Sequence, residues 1–225
     1  MSYFIDDVMQ KIYFRADASA TIGYGHFIRT LALADMLKDD FDCTFFTCHP
    51  TSYQVSEMEK VCPFIPLQEE THSADFLSHL QGDEIVVLDN YFFTTDYQRA
   101  IKQKGCRLVC VDDMHDKHYV ADVVINHTLT DSGLFDVEPY TKLCLGFDWA
   151  LLRRPFIEAV NKLCSCAKRT ESITITFGGV DSFDFTGHYI REAMQLPTVS
   201  QITAVVGDAY QPCLLYTSDA ADDKA

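Results

Sequence analysis

The chain has 225 residues, which is enough for one large domain or two small domains with buried cores. Apolar residues make up 48% of the chain and charged residues 23%, a balance typical of soluble globular proteins. Its 33 acidic and 18 basic side chains give a net charge of −15, and because nucleic-acid-binding surfaces are normally basic, we expect no nucleic-acid partner.

The N-terminal part of the chain predicts strands that alternate with helices. A β-rich run at Lys11–Asp17 leads into a small-residue loop with two glycines and then into a helix at His26–Lys38, the opening of a βαβ unit. The alternation continues through predicted strands and helices at Cys43–Thr47, Pro63–Leu67, Ser73–Leu80, Glu84–Asp89, Thr94–Lys104, Cys106–Asp112, Asp122–Asn126 and Lys142–Gly146. This order predicts an α/β fold with an open parallel sheet, a Rossmann-like domain that we place at residues 1–155.

A second glycine unit predicts the start of another α/β domain at residues 172–212, after a linker helix at 156–171. A strand at Ser172–Phe177, a glycine loop, a helix at Asp184–Gln195 and a strand at Gln201–Val206 follow one another. A β-α-β fragment of this size is too small to cover both faces of its sheet, so we interpret the second domain as incomplete in this chain.

The last residues, 213–225, resemble one reading frame of a sequencing adapter. We therefore expect a C-terminally truncated chain whose natural gene continues past Pro212. Asp219, Asp222 and Asp223 lie in this tail and slightly increase the negative charge of the chain.

The sequence favours a cytoplasmic protein without a membrane partner. It has no run of about 18 apolar residues, and its acidic N-terminus lacks the basic and apolar regions of a signal peptide. Nine cysteines, an odd number scattered through apolar runs, favour reduced thiols over a disulfide framework.

The first candidate for chemistry is the loop Gly23-Tyr24-Gly25-His26. Glycines allow a sharp turn and close approach of a ligand, and the following helix N-terminus presents free N–H groups to an anion. The helix dipole disfavours imidazolium at His26, and a neutral imidazole is what a general base needs. The alternative is a tight turn with His26 as a capping residue, because the full G-x-G-x-x-G spacing is missing.

Polar side chains at the ends of predicted strands form the second candidate. They are Asp17, Asp89, Asn90, Tyr91, Asp112, Asp113 and Asn126. Ligands of parallel α/β sheets bind outside the carboxyl ends of the strands, where these groups converge. For Asp112 and Asp113 we favour a turn-capping role, and for Asp89 and Tyr91 a functional one.

The third candidate is Gly178, Gly179 and Asp181, which repeat the strand–glycine–helix pattern and suit a diphosphate, with a plain turn as the alternative. We expect no metal site, because His115-x-x-His118 and Cys164-Ser165-Cys166 lack the paired spacing of structural zinc ligands. The chain also has no G-x-S-x-G elbow and no P-loop.

Taken together, six motifs in order resemble the nucleotide-sugar hydrolases of pseudaminic acid biosynthesis, over roughly residues 11–210. The motifs are Arg15-x-Asp17 with Ile22-Gly23-Tyr24-Gly25-His26-x-x-Arg29, Leu88-Asp89-Asn90-Tyr91, Val111-Asp112-Asp113, Ala121–Asn126, Gly146-x-x-Trp149 through Arg153, and Phe177-Gly178-Gly179-x-Asp181. Val180 stands where a small polar residue is common in the family.

The resemblance implies a GT-B-like fold of two Rossmann-like domains and hydrolysis of a UDP-linked 2,4-diacetamido-2,4,6-trideoxy-altrose. Water would attack the anomeric carbon with His26 as general base, without a metal or a cofactor, in a monomeric protein that serves flagellin or surface glycans. The implied substrate-binding residues are Asp17, Gly25, Arg29, Asp89, Tyr91, Asn126 and Arg153. The implied diphosphate-binding residues are Gly178, Gly179 and Asp181, while the uridine contacts would lie beyond Pro212.

Three alternatives stay open at this point. One is a GT-B glycosyltransferase, such as the type that moves N-acetylglucosamine to a lipid intermediate, although the acidic composition opposes membrane docking. Another is a hydrolase of a different nucleotide sugar. The third is an inactive truncated fragment, which a thermal melt without a shift at millimolar UDP would indicate.

Overall fold

The computed structural model describes residues 9–19, 22–128, 131–159, 171–178, 181, 183–207 and 210. The chain divides into two compact units, residues 1–162 and 163–225. The division falls within the segment 156–171 that the sequence predicts as a linker, and residues 160–170 of that segment lie outside the described residues.

The first unit alternates strands and helices. In chain order they are β1 (Lys11–Ala16), α1 (Gly25–Leu37), β2 (Asp42–Cys48), α2 (Ser52–Met58), β3 (Phe64–Leu67), α3 (His72–His79), β4 (Ile85–Asp89), α4 (Thr95–Gln103), β5 (Arg107–Val111), β6 (His118–Tyr119), β7 (Val123–Asn126), β8 (Asp136–Val137), β9 (Lys142–Leu145) and α5 (Arg154–Ala159). Short 3₁₀ turns occupy Ser132–Leu134 and Phe147–Trp149.

The main sheet of the described residues has seven strands in the order β3-β2-β1-β4-β5-β7-β9, and every pair in it is parallel. The predicted α/β class is therefore confirmed, as a Rossmann-like domain of the kind that the GT-B resemblance implies. The strand order reverses between β1 and β4, because successive crossovers run outward in opposite directions from this pair. Ligands of open α/β sheets bind in the crevice at such a switch point.

Helices cover both faces of this sheet, which explains its continuous apolar strands. Phe14 of β1 packs with Phe27 of α1 in one buried cluster. Val86 of β4 packs with Phe76 of α3 and Ile101 of α4 in the other. Since side chains alternate along a strand, Arg15 points to the face opposite Phe14.

Helix α2 is not among the predicted elements, although the sequence carries a signal for it. Thr51 and Gln54 form a capping box, in which the Thr51 hydroxyl accepts from the Gln54 N–H and the Gln54 side chain accepts from the Thr51 N–H. The short pair β6–β8 was also not predicted; it is parallel and lies apart from the main sheet.

The second unit contains β10 (Ser172–Thr176), α6 (Phe185–Ala193) and β11 (Gln201–Val205). The two strands pair in parallel and, with α6 between them in the chain, form the predicted β-α-β unit; that it begins a second domain stays a prediction. The predicted tail at 213–225 lies outside the described residues.

In the part of the chain that the structure describes, no helix has both the length and the apolar character needed to cross a bilayer. Six cysteines lie in this part, and all six are free thiols.

Candidate active site

The candidate site lies where the strand order reverses, at the carboxyl ends of β1 and β4. Ala16 is paired with Asp89 in the sheet, so the loops that follow these two strands begin side by side. The Asn90 side-chain oxygen accepts a hydrogen bond of 2.7 Å from the Asp17 N–H and ties the two loops together.

The glycine loop after β1 uses its two glycines differently. Gly23 has a φ of +74°, a left-handed conformation that favours glycine, and its N–H donates to the Ser19 carbonyl at 2.8 Å. Gly25 begins α1, and apart from its chain neighbours and its own helix backbone, a Cβ placed on it would meet no described residue within 4 Å. Open space therefore faces the first turn of α1, whose N–H groups have no partner within the helix.

His26 and Asp89 form a hydrogen-bonded pair. The His26 ring is buried, with 4% of the residue exposed, and its Nδ1 lies 2.7 Å from Asp89 Oδ1. A carboxylate only accepts hydrogen bonds, so the proton of a neutral ring sits on Nδ1 and the lone pair on Nε2. Among the described residues no group bonds Nε2, which leaves it available as a base.

Arg29 also approaches His26, with Nη2 3.1 Å from Nδ1. Nδ1 can either donate to Asp89 or accept from Arg29, but not both. The contact with Asp89 is shorter, and Arg29 Nη2 already donates to Asp89 Oδ1 at 2.6 Å, so we assign the Nδ1 proton to the bond with Asp89.

Asp89 is completely buried and accepts hydrogen bonds from three side chains. Besides His26, these are Arg29, through Nε at 2.6 Å and Nη2 at 2.6 Å, and the Thr30 hydroxyl at 2.8 Å. The sequence predicts Asp89 as a substrate contact. The four hydrogen bonds that its carboxylate accepts all come from these side chains, and the substrate contact stays a prediction.

Arg29 joins a second carboxylate to the network, since its Nη1 donates to Asp113 at 3.0 Å. Burial alone would lower the pKa of Arg29, but hydrogen bonds to Asp89 and Asp113 raise it above its usual value. In turn, burial would raise the pKa of Asp113, and the Arg29 guanidinium lowers it. Both groups are therefore charged at neutral pH, and Arg29 is engaged by carboxylates rather than open to a ligand.

Tyr91 covers the other side of the His26 ring. The two rings meet edge to face, with centroids 4.4 Å apart, while 48% of Tyr91 stays exposed. Burial, and then the negative charge of Asp113, raise the pKa of the Tyr91 phenol. At neutral pH the phenol is protonated and can donate a hydrogen bond to a ligand beside His26.

The side chains of Asp17 and Asn126 accept hydrogen bonds from the protein, and Asp17 also borders a cavity on the α3 side of the sheet. The Asp17 carboxylate accepts from Arg15 Nη2 at 2.7 Å and from the Cys48 N–H at 2.7 Å, which holds the ends of β1 and β2 together. Asn126 is buried, and its side-chain oxygen accepts from the Thr128 N–H and hydroxyl, both at 2.9 Å. With β5 between β4 and β7, Asn126 is about 10 Å from the β4 end.

Arg153 is not brought to His26. It borders a cavity of about 320 Å³ together with Asp35 and Lys38, near the last turns of α1, and its guanidinium lies 5.2 Å from the centre of the Phe156 ring. Asp35 follows His26 by nine residues, roughly 13 Å along the helix.

The second glycine loop is described only in part, at Gly178 and Asp181. Gly178 has a φ of +78°, and a Cβ placed on it would meet no described residue beyond its chain neighbours within 4 Å, whereas Gly179 lies outside the described residues. Asp181 accepts from the N–H groups of Phe185 and Thr186, at 3.0 and 2.7 Å. The Asp181 carboxylate thus caps the N-terminus of α6, and its predicted role in binding a diphosphate stays a prediction.

Two residues of the network around Asp89 were not predicted in their observed roles: Asp113, expected to cap a turn, and Thr30, which was not a candidate. Asp112 does cap its turn, accepting from the N–H groups of Met114 and His115, but Asp113 turns to Arg29 instead. The helical spacing carried a signal for Thr30, because it follows His26 by four residues and therefore shares a face of α1 with it. In the described ranges, no three His, Cys, Asp or Glu side chains are grouped to hold a metal ion.

No family model matches the chain. The chain is 25% identical over 210 residues to an uncharacterized protein of Methanocaldococcus jannaschii, covering 89% of this chain and 43% of that protein. It is 26% identical over 198 residues to the UDP-2,4-diacetamido-2,4,6-trideoxy-beta-L-altropyranose hydrolase of Campylobacter jejuni, covering 86% of this chain and 68% of that protein. Among solved structures, Acinetobacter baumannii MurG is similar, with a TM-score of 0.49 and 8% identity over 90% of this chain and 68% of MurG. The chain thus spans less than half the length of the archaeal relative and about two thirds of that of the Campylobacter relative.

Proposed function

We propose that this chain is part of a nucleotide-sugar hydrolase that releases UDP from a UDP-linked 2,4-diacetamido-2,4,6-trideoxy-altrose. His26 is its catalytic histidine. The observation that carries the proposal is the orientation of His26, whose Nδ1 is held by Asp89 at 2.7 Å while Nε2 has no partner among the described residues. The similarity to the Campylobacter hydrolase supplies the substrate class.

In this reaction a water molecule gives a proton to His26 Nε2 as its oxygen attacks the anomeric carbon. The bond between that carbon and the diphosphate oxygen breaks, and UDP leaves with the electron pair. The buried Asp89 carboxylate fixes the tautomer of His26 and stabilises the imidazolium that forms, which makes Asp89 a positioning residue.

The groups around His26 can bind the diphosphate and orient the attacking water or the sugar. The open space at Gly25 gives a diphosphate access to the N–H groups of the first turn of α1, where the helix dipole favours an anion. The Tyr91 hydroxyl donates to the attacking water or to the sugar beside the His26 ring. Because Arg29 is already paired with Asp89 and Asp113, the charge on the leaving group is stabilised by backbone donors rather than by this guanidinium.

The test is UDP release from the diacetamido UDP-sugar by the full chain, without any acceptor. His26→Ala should lower kcat by about 10²–10⁴, the usual scale for a general base. His79→Ala is the matched control, since His79 is partly exposed on α3 and contacts Phe46 rather than the site, and it should leave kcat unchanged. Near-normal turnover by His26→Ala would refute the proposal.

Further measurements separate hydrolysis at the anomeric carbon from the alternative activities. In ¹⁸O-labelled water the label should enter the free sugar, because water attacks carbon; label in UDP would contradict attack at the anomeric carbon. UDP release that requires an added acceptor would identify a glycosyltransferase instead. A preference for a different UDP-sugar would place the chain among hydrolases of another substrate.

A further inference from the structure

A separate cavity opens at the carboxyl edge of the sheet, on the α3 side of the strands. Its volume is about 250 Å³, and the glycine-loop residues Ser19 and Ile22, together with His72 and Phe92, border it. Phe92 follows Tyr91 directly in the chain, so one residue contacts the His26 ring and the next lines this cavity. We call it the His72 cavity.

Arg15 fixes the chemistry of His72. The Arg15 guanidinium is completely buried beside the Phe93 ring, and its Nη2 lies 3.2 Å from His72 Nδ1. A guanidinium can only donate, so Nδ1 accepts and the ring proton sits on Nε2. Among the described residues Nε2–H has no acceptor, and His72 therefore offers a hydrogen-bond donor at the cavity.

Of the two carboxylates around the cavity, Asp17 is paired with a guanidinium and Glu69 is largely exposed to solvent. Asp17 is held by two hydrogen bonds from Arg15, and Glu69 lies 3.2 Å from His49. Burial and the positive charge of Arg15 lower the pKa of His72, so its ring is neutral at neutral pH. One neutral donor beside the apolar side chains of Ile22 and Phe92 suits an uncharged group that has a carbonyl oxygen and a small apolar end.

We propose that the His72 cavity binds an acylamino substituent of the sugar. The carbonyl oxygen accepts from His72 Nε2–H, and the methyl group packs against Ile22 and Phe92. This inference rests on the proposed function, because a sugar whose anomeric carbon lies beside His26 can place a ring substituent at the neighbouring cavity across the Asn90 bridge. His72 is then a specificity-determining residue that acts on a part of the substrate remote from the broken bond.

The kinetic test compares two substrates. His72→Phe should lower kcat/KM for the diacetamido UDP-sugar by about tenfold to a hundredfold, the effect of losing one hydrogen bond to a buried acceptor. With an analogue that carries hydroxyls in place of both acetamido groups, the same variant should match the wild type. His79→Phe on the same helix is the control, and equal losses on both substrates in His72→Phe would overturn the proposal.

A binding test decides the inference even if no UDP is released. In saturation-transfer NMR with the free diacetamido sugar, the acetamido methyl protons should receive saturation from the wild type, from His26→Ala and from His79→Phe, but not from His72→Phe. Loss of UDP release with retained methyl transfer would overturn the proposed function alone. Absent transfer in the wild type, or unchanged transfer in His72→Phe, would overturn this inference.

A second variant covers the case in which His72→Phe does not fold. Phe92→Ser removes an apolar wall of the cavity at a half-exposed position and leaves the Arg15 contacts with Asp17 and His72 in place. Methyl transfer should fall in this variant while its melting temperature stays near that of the wild type. Undiminished transfer would contradict the cavity as the methyl site.

Discussion

At the scale of single residues, the chemistry of the site depends on Asp89, which no solvent reaches. Its two oxygens accept from His26, Arg29 and Thr30, so one carboxylate both orients the base and neutralises a partly buried guanidinium. Removing its charge therefore has two separable consequences, one for catalysis and one for stability.

The substitution Asp89→Asn should lower both the catalytic rate and the stability of the fold. The amide can present an N–H to His26 Nδ1, which would favour the other tautomer and place the proton on Nε2, so we expect kcat to fall by at least about 10²-fold. Arg29 would lose its buried partner but keep Asp113, and we expect the free energy of unfolding to drop by about 3 kcal/mol. Urea denaturation and UDP-release kinetics measure the two effects.

Thr30→Val is the matched control for this prediction. It removes one neutral donor to Asp89 and keeps the charge, so the free energy of unfolding should fall by only about 1 kcal/mol. Its kcat should stay within a few-fold of the wild type. A loss of activity as large as that of Asp89→Asn would mean that any disturbance of the network, rather than the tautomer of His26, controls catalysis.

How these residues pair was only partly predictable. Acids at strand ends indicate a site at that edge, and His26, Tyr91 and Asp89 do lie together there. Which acid faces a ligand depends on side chains that arrive from other elements, as Arg29 does at Asp89. The contacts of Asp181 were unpredictable for the same reason. Its carboxylate accepts hydrogen bonds from N–H groups at the N-terminus of α6.

At the scale of elements, the glycine loop combines a constrained position with an open one. Gly23→Ala places a side chain at a φ of +74° and should destabilise the chain by about 1 kcal/mol. The added methyl group of Gly25→Ala would meet no described residue outside its own helix and chain neighbours within 4 Å, so the stability of this variant should be unchanged or slightly increased. If a diphosphate packs on this turn, Gly25→Ala should raise KM for the UDP-sugar severalfold. An unchanged KM would contradict diphosphate binding at α1.

The small pair β6–β8 carries a pH-dependent contact. The two ring nitrogens of His118 lie 2.9 Å from Asp136 and 3.2 Å from Glu138, and hydrogen bonds to these carboxylates raise the pKa of His118 above 6.5. Because the folded pKa is the higher one, the stabilisation is complete below pH 6.5 and is lost as the pH rises through the folded pKa.

His118→Gln tests this contact. The variant should be less stable than the wild type at pH 5.5, and the difference in the free energy of unfolding should shrink toward pH 9. Urea titrations at both pH values, with an NMR titration of the His118 ring, measure it. A difference that does not change with pH would show that the protonated ring contributes nothing to the pairing of β6 with β8.

At the scale of the whole molecule, the α/β class followed from periodicity, because buried parallel strands read as continuous apolar runs. Ile85–Asp89 and Arg107–Val111 are such strands, and each of their predicted boundaries lies within one residue of the observed boundary. Patterns along the chain do not encode which strands become neighbours, so the reversal between β1 and β4 could not be located from sequence. The two-residue strands β6 and β8 are too short for any period to show.

The two units should differ strongly in local stability. In the first unit β1 and β4 are central strands with helices on both faces of their sheet. In the second unit β10 and β11 form a two-stranded sheet with mostly exposed residues, and among its described residues only Ile175 and Ala193 are buried apolar side chains. Two strands with so little apolar burial are marginal in water, and local openings there cost far less than global unfolding.

Hydrogen exchange on the intact chain measures this difference. Amides of β1 and β4 should exchange at least about a hundredfold more slowly than those of β10 and β11, after correction for intrinsic rates. Ile175, the best-buried position of β10, should be the slowest in its strand. Equal protection of the two sheets would contradict the prediction, because a pair of exposed strands can resist exchange as well as a central strand only if a further layer covers it.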